Sequence, residues 1–174
     1  MDISIIGKNS IRIKGKQVAF VADPSKDMPK TSADAVILLS GLDNVDTNRI
    51  TDSRIIINGP GGYEVGGVKI SGTTTPKGTL YKLSIDDLTV IIGKPAETKA
   101  DGFSSSQIVV VNADDEVNIS IITALEPKMV IIYGEKKEEV AKALGIENAA
   151  LAAKVTTAKD KLPEKMEVVV LASS

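Results

Sequence analysis

The stretch Gly61-Gly62-Tyr63-Glu64-Val65-Gly66-Gly67-Val68-Lys69-Ile70 is the most informative part of this sequence. Apolar and polar residues alternate on both sides of the Gly66-Gly67 pair. Two glycines between two short alternating segments are typical of the tight turn of a β-hairpin. The stretch therefore predicts strands at residues 63–65 and 68–71, joined by a two-residue turn.

The rest of the chain predicts a strand-rich first part and a second part in which strands and helices alternate. Up to about residue 93, the other predicted strands are Ile3–Ile6, Ser10–Ile13, Gln17–Val21, Ala35–Leu39, Arg54–Ile57, Leu80–Ile85 and Leu88–Ile92. After residue 105 we expect strands Ile108–Val111 and Met129–Ile132, helices Ile119–Leu125 and Lys136–Leu144, and a final hairpin of residues 154–157 and 166–171. This order predicts sheets covered by helices in one domain, residues 1–174.

The composition excludes several classes of function. The 174 residues include no His, no Cys and no Trp. Without His the chain has no imidazole that could act as a base or bind a metal, and without Cys it has no thiolate nucleophile. The 21 basic and 23 acidic residues, with only two Phe and three Tyr, argue against nucleic-acid binding. The apolar runs have strand length, so the sequence predicts no membrane span and a cytoplasmic protein.

Four segments in order carry a resemblance to a known family. They are Ile5–Ser10 with the following Asp23-Pro24, Ala33–Ser40, Gly62–Ile70 and Leu125–Tyr133. Together these segments resemble the metallo-β-lactamase fold family, in the branch similar to ascorbate-phosphate lactonases and related small hydrolases. The resemblance implies an αββα sandwich with a cleft formed by the loops at one edge of the sheets.

The same resemblance implies that the metal ligands of the family are missing. Gly41, Asp43 and Asp46 stand where the family has histidines, and Val45 stands where it has an aspartate. Lys94 replaces a carboxylate that would bridge two metals. Lys8, Lys77 and a position near Gly134 correspond to further histidines. Glycine offers no lone pair and lysine adds repulsion, so the resemblance implies the fold without a metal cofactor.

Three functions remain open from the sequence. The favoured one is a non-catalytic binding or assembly module with an unknown partner, with self-association as one form of it. The second is a hydrolase that uses Asp23, Asp43 and Asp46 to hold a cation such as Mg²⁺, or that works without metal. The third is a protein that holds a small anion between Lys94 and Lys8.

Local patterns also have simpler structural interpretations. Asp43 and Asp46 precede a short helical turn and are suited to cap it. The acidic run Asp114–Glu116 precedes a helix, whose N-terminus favours negative charge. The Ser104–Ser106 segment is interpreted as a polar loop. Lys94, with Lys8, is predicted to pair with Asp23, Asp43 or Asp46, so that an ion-pair cluster links the two halves of the chain in place of a metal.

Overall fold

The strands form two large sheets in the computed structural model, which describes residues 1–96 and 103–172. In chain order they are β1 (Asp2–Ile6), β2 (Ser10–Lys14), β3 (Ala19–Ala22), β4 (Thr31–Ser32), β5 (Ala35–Leu38), β6 (Ile50–Thr51), β7 (Ile55–Asn58), β8 (Gly61–Val65), β9 (Val68–Thr75), β10 (Gly78–Ile85), β11 (Leu88–Gly93), β12 (Ile108–Asn112), β13 (Met129–Tyr133), β14 (Ala150–Ala152), β15 (Lys154–Thr156) and β16 (Glu167–Leu171). The helices are α1 (Ile119–Ala124) and α2 (Lys137–Ala143).

The order of strands differs between the two sheets. One sheet has the order β15-β1-β2-β3-β5-β7, and the other has the order β14-β16-β13-β12-β11-β10-β9-β8. A small third sheet pairs β4 with β6. The hairpin predicted from strands at residues 63–65 and 68–71 is confirmed as β8 and β9, and Val65 pairs with Val68 across its turn.

The main core lies between the two large sheets. In β10 the alternation predicted from the sequence places Tyr81, Leu83 and Ile85 in this core. In β12 Ile108 and Val110 also face the core, whereas Val109 and Val111 pack on the outer side. This explains why residues 108–111 of β12 form a continuous apolar run, since a strand buried on both faces favours apolar residues at successive positions.

The helices cover the outer face of the eight-stranded sheet. Ile122 of α1 and Val140 of α2 are buried in the same apolar cluster as Val109 and Val111. On the outer face of the six-stranded sheet a smaller cluster contains Val21, Met28 and Ala33. The predicted sandwich fold is confirmed, and its helical layer is largest on the eight-stranded sheet. No helix among the described residues is long and apolar enough to cross a membrane.

The predicted C-terminal hairpin is wrong. β14 runs parallel to β16 in the eight-stranded sheet, whereas β15 pairs antiparallel with β1 in the six-stranded sheet. Between β14 and β15 the carbonyl of Ala153 accepts a hydrogen bond from the Ile5 amide at 3.2 Å. The chain thus passes from one sheet to the other at Ala153. Three-residue strands carry too little pattern to reveal which sheet they join.

Candidate functional site

Loops from both large sheets surround an open pocket of about 420 Å³ at one edge of the sandwich. Two parallel pairs of strands end at this edge, because parallel neighbours have their carboxyl ends on the same side. They are β3 and β5 in one sheet and β11 and β12 in the other. Of the residues that the sequence selected, the pocket brings together five, namely Lys8, Asp23, Gly41, Asp43 and Lys94. The cleft implied by the resemblance is therefore present as a cavity with mixed charges.

The other three selected residues do not line this pocket. Asp46 caps the short 3-10 helix Thr47–Arg49, because its Oδ1 accepts a hydrogen bond from the Asn48 amide at 3.2 Å. This hydrogen bond confirms the predicted capping role of Asp46. Asp46 Oδ2 also lies 3.6 Å from Arg49 Nε. Lys77 lines a neighbouring hollow that it shares with Glu116.

Gly134 lies against the loop that follows β12. Its φ is +106°, and a side-chain Cβ at this position would lie 2.7 Å from Asp114 Oδ1. The absence of a side chain lets this oxygen accept the Glu135 amide at 3.1 Å. Gly134 thus supports a pocket residue rather than lining the pocket itself.

Asp23 is the most buried carboxylate of the pocket. Its Oδ1 accepts a hydrogen bond from the Leu39 amide at 2.8 Å, which ties the end of β3 to the end of β5. Burial raises the pKa of Asp23 from 3.8 to about 6, although the Leu39 bond and the charge of Lys94 act in the opposite direction. A carboxylate whose pKa is raised by burial is either a functional group or a cost to stability.

Lys94 pairs with a different aspartate from those predicted. Its ammonium lies 2.9 Å from Asp115 Oδ2, and both residues belong to the eight-stranded sheet or its loops. The side chain of Lys94 is 15% exposed and that of Asp115 is 44% exposed. The prediction that Lys94 forms an ion pair with Asp23, Asp43 or Asp46 is wrong, because among the described residues its ammonium pairs with Asp115.

A different contact joins the two sheets at the pocket. The Asn9 side-chain amide, in the loop after β1, donates to Asp114 Oδ2 at 3.1 Å and to Oδ1 at 3.3 Å. Asp114 follows β12 in the other sheet, and its own amide donates to Asn112 Oδ1 at 3.0 Å. No local pattern in the sequence indicates this contact, since Asn9 and Asp114 lie 105 positions apart.

The acidic run at residues 114–116 does not serve the helix that follows it. The first turn of α1 contains no acidic residue, and its N-cap is Asn118, whose Oδ1 accepts the Ser120 amide at 3.0 Å. Asp114 and Asp115 instead bind Asn9 and Lys94. The predicted helix-dipole role is therefore wrong, because the helix begins too far along the chain from these carboxylates.

The Ser104–Ser106 segment lies away from this pocket, in a shallow surface hollow that also contains Lys82. The Lys82 ammonium donates to Ser104 Oγ at 2.5 Å. A lysine that donates its proton in this way is not acting as a base toward the serine. The interpretation as a polar loop is consistent with this arrangement.

A model of the beta-lactamase superfamily domain matches residues 2–91, which is just over half of the chain. The chain belongs to the β-lactamase superfamily. No curated protein matches the sequence of this superfamily member.

Solved structures of metallo-β-lactamase proteins share the fold of this superfamily member. One, from Thermotoga maritima, has a TM-score of 0.79 at 17% identity, covering 98% of this chain and 97% of the other. An isothiocyanate hydrolase from Delia radicum gut bacteria has a TM-score of 0.64 at 13% identity, with coverage of 91% and 99%. Igni18, a metallo hydrolase from Ignicoccus hospitalis, has a TM-score of 0.63 at 12% identity, with coverage of 90% and 98%. At these identities the similarity shows the fold alone.

The pocket of this superfamily member does not fit the metal ions that the fold implies. Within the described parts of the chain, no three acidic side chains converge so that they could hold one ion. Asp23 Oδ1 already accepts a hydrogen bond from the Leu39 amide, and Asp46 caps the 3-10 helix. The Lys94 ammonium on the pocket wall would also repel a divalent cation.

Asn9→Ala is expected to lower the free energy of unfolding by about 1 to 2 kcal/mol, because it leaves the partly buried Asp114 carboxylate with fewer donors. Lys94→Met is the comparison, since it removes a half-exposed pair within one sheet and should cost less than about 1 kcal/mol. Urea unfolding of both variants at neutral pH measures the difference. A larger loss for Lys94→Met would show that the lysine, not Asn9, holds this edge together.

Proposed function

We propose that this superfamily member is a non-catalytic binding protein whose pocket takes a small ligand in place of catalytic metals. The observation that carries the proposal is Lys94, whose ammonium is fixed on the pocket wall by Asp115 at 2.9 Å. A permanent positive charge there opposes a divalent cation by Coulomb repulsion. The predicted cytoplasmic location and self-association are kept as parts of the proposal.

The chemistry of metal hydrolases supports this interpretation. Such enzymes use the ion to lower the pKa of a bound water and to polarise the substrate, which requires several ligands that converge on one point. Here Asp43 lies on the exposed rim, Asp46 is a helix cap, and Asp23 is held by Leu39. A carboxylate-only metal site is therefore the weaker alternative.

A metal-free hydrolase is the second candidate, and Asp23 is the observation that favours it. Its pKa of about 6, raised by burial, is suited to a general base near neutral pH. Structural neighbours such as the isothiocyanate hydrolase are hydrolases, which agrees with this class. The candidate requires a substrate that reaches the free oxygen of Asp23.

Metal analysis and activity assays distinguish these functions. Protein purified without chelator is expected to contain far less than one equivalent of any transition metal, and to hydrolyse neither a generic phosphodiester nor a lactone. Stoichiometric metal with turnover would overturn the proposal. Metal-free turnover that disappears in Asp23→Asn would instead establish the second candidate, because this variant keeps the acceptor for Leu39 but cannot take up a proton.

A further inference from the structure

The strand β14 is an unprotected edge of the eight-stranded sheet. Four strands stand at the ends of the two large sheets, namely β7, β8, β14 and β15. Natural sheets protect such edges with charged side chains or proline, because an exposed edge can pair with another chain. β8 contains Glu64 and β15 contains Lys154, whereas β14 consists of two alanines and Leu151. β14 therefore carries no charge that would oppose the addition of a strand.

The edge of β7 is also apolar, but it is closed. The Ile55 carbonyl accepts a hydrogen bond from Ser53 Oγ at 3.2 Å. The Gly59 amide donates to the Tyr81 hydroxyl at 2.8 Å, and between these two positions Ile57 is fully buried. Backbone groups that are already bonded or buried do not pair with a further strand. Among the four edges in the described part of the chain, β14 is therefore the most open.

Leu151 presents the open backbone groups of this edge. The Ala152 carbonyl accepts a hydrogen bond from the Ala172 amide at 3.0 Å, so the backbone groups of Ala152 are directed toward β16. Successive residues of a strand direct these groups to opposite sides. The N–H and C=O of Leu151 therefore point away from β16, to the side on which the described sheet has no further strand.

The Leu151 side chain is the exposed end of a buried apolar row. On the outer face of the eight-stranded sheet, Val111 pairs with Ile132, and Ile132 pairs with Val170. Leu151 is the next residue of this row, since it pairs with Val170. The other three side chains are buried, whereas Leu151 is 69% exposed. An apolar residue on an added strand would continue the row and cover this side chain.

The charges at the two ends of the segment favour a second copy of this chain as its neighbour. Glu147 precedes β14 and Lys154 follows it, and both side chains are exposed. The Lys154 ammonium lies 3.5 Å from Asp2, yet its side chain is still 56% exposed. When two copies pair antiparallel about a two-fold axis, the acidic end of each meets the basic end of the other. A parallel arrangement would bring like charges together, which is destabilising.

We propose that two copies of this chain associate by pairing their β14 strands antiparallel, with the two-fold axis at Leu151. The Leu151 N–H of each copy donates to the Leu151 C=O of the other, and both leucine side chains lie on the outer face. The two eight-stranded sheets then form one continuous sheet. This inference rests on the self-association kept in the proposed function and specifies its surface. It needs no ligand in the pocket, since β14 contributes no residue to the pocket lining.

Sedimentation velocity of the full chain tests the association. One three-residue strand per copy buries less than the roughly 800 Å² per partner of a stable interface, so the dimer is expected to be weak. The unchanged chain is expected to sediment near 18.3 kDa at about 10 µM and to approach twice that mass at about 1 mM. Leu151→Asp is expected to remain monomeric over the same range, because it places two carboxylates opposite each other at the axis.

Leu42→Asp is the matched control variant. Leu42 lies in the loop after β5 and is 65% exposed, so the same substitution is made at a similar exposure. It is expected to associate as the unchanged chain does. An unchanged chain that is monomeric at the highest concentration would overturn the inference. Association of Leu151→Asp equal to that of the unchanged chain would also overturn it, because another surface would then hold the copies together.

Cysteine cross-linking tests the register independently. The chain contains no Cys, so Leu151→Cys introduces a single thiol per copy. At the axis the two Cα atoms lie about 5.5 Å apart, which is within the range of a disulfide. In Ala150→Cys the two residues are diagonal neighbours about 7 to 8 Å apart, which is beyond that range. Under mild oxidation Leu151→Cys is expected to form the covalent dimer at least about tenfold faster than Ala150→Cys. Equal rates, or the reverse order, would overturn the proposed register.

The failure of this inference and that of the proposed function are distinguishable. A chain that stays monomeric would overturn the β14 dimer and leave the pocket as a binding site. Bound metal with turnover in a chain that still dimerises would overturn the non-catalytic function and leave the dimer.

Discussion

Asp23→Asn is expected to stabilise the protein at neutral pH by up to about 3 kcal/mol, and to leave its stability nearly unchanged at about pH 4. In the folded chain burial raises the pKa of Asp23 from 3.8 to about 6. Asparagine keeps an oxygen for the Leu39 amide and carries no charge to desolvate. The gain therefore equals the cost of ionising a buried carboxylate.

The sign of the pH dependence follows from the raised pKa. The unfolded chain releases the Asp23 proton at about pH 4, while the folded chain holds it until about pH 6. The contribution of Asp23 to stability is complete below about pH 4 and is lost as the pH rises through about 6. The asparagine variant lacks this loss, so its advantage grows between these two values.

Urea unfolding at several pH values measures this effect. Asp27→Asn is the matched control, because hydrogen bonds from Ser25 and the Lys8 amide lower the pKa of Asp27. Its substitution is expected to change stability in the opposite direction at neutral pH. An advantage of Asp23→Asn that is the same at about pH 4 and about pH 7 would contradict the assignment of a raised pKa.

Gly78→Ala is expected to lower the free energy of unfolding by about 3 kcal/mol or more. Gly78 begins β10 with a φ of +127°, and a Cβ there would overlap the Leu39 carbonyl oxygen. That oxygen accepts the Thr79 amide at 2.8 Å, and backbone atoms cannot move aside as a flexible side chain does. The substitution therefore separates the β9–β10 hairpin from the end of β5, next to the pocket.

Gly59→Ala separates this clash from the cost of backbone conformation. Gly59 has a similar φ of +108°, but a Cβ there would meet no atom within 4 Å. Its expected loss is about 1 to 2 kcal/mol, from the positive φ alone. Equal losses in the two variants by urea unfolding would show that the approach to Leu39 contributes nothing.

The sequence predicted most of the strands because their apolar periodicity is local. The alternation in β10 predicted a strand with one buried face, and the continuous apolar run in β12 predicted a strand buried on both faces. The burial of the two strands matches these predictions. The short strand β14 escaped prediction, since Ala150–Ala152 has no alternation that assigns it to a sheet. β15 was predicted as a strand, but its partner was predicted wrongly, because it pairs with β1 and not with β16.

Part of the pocket was also predictable. The resemblance placed Lys8, Asp23 and Lys94 near one another, and the structure brings them to one cavity. The sequence did not indicate Asn112 or Asp114 as pocket residues. Their importance depends on contacts with distant parts of the chain, of which the bond between Asn9 and Asp114 is the clearest.

The sequence by itself determined the chemical groups that are available: no imidazole and no thiol, but an excess of carboxylates over ammonium groups. Only the tertiary structure decided which of these groups meet. Lys94 pairs with Asp115, and burial raises the pKa of Asp23. The physical reason is that an ion pair or a desolvation cost depends on distances of a few ångströms between residues far apart in the chain, which no local pattern encodes.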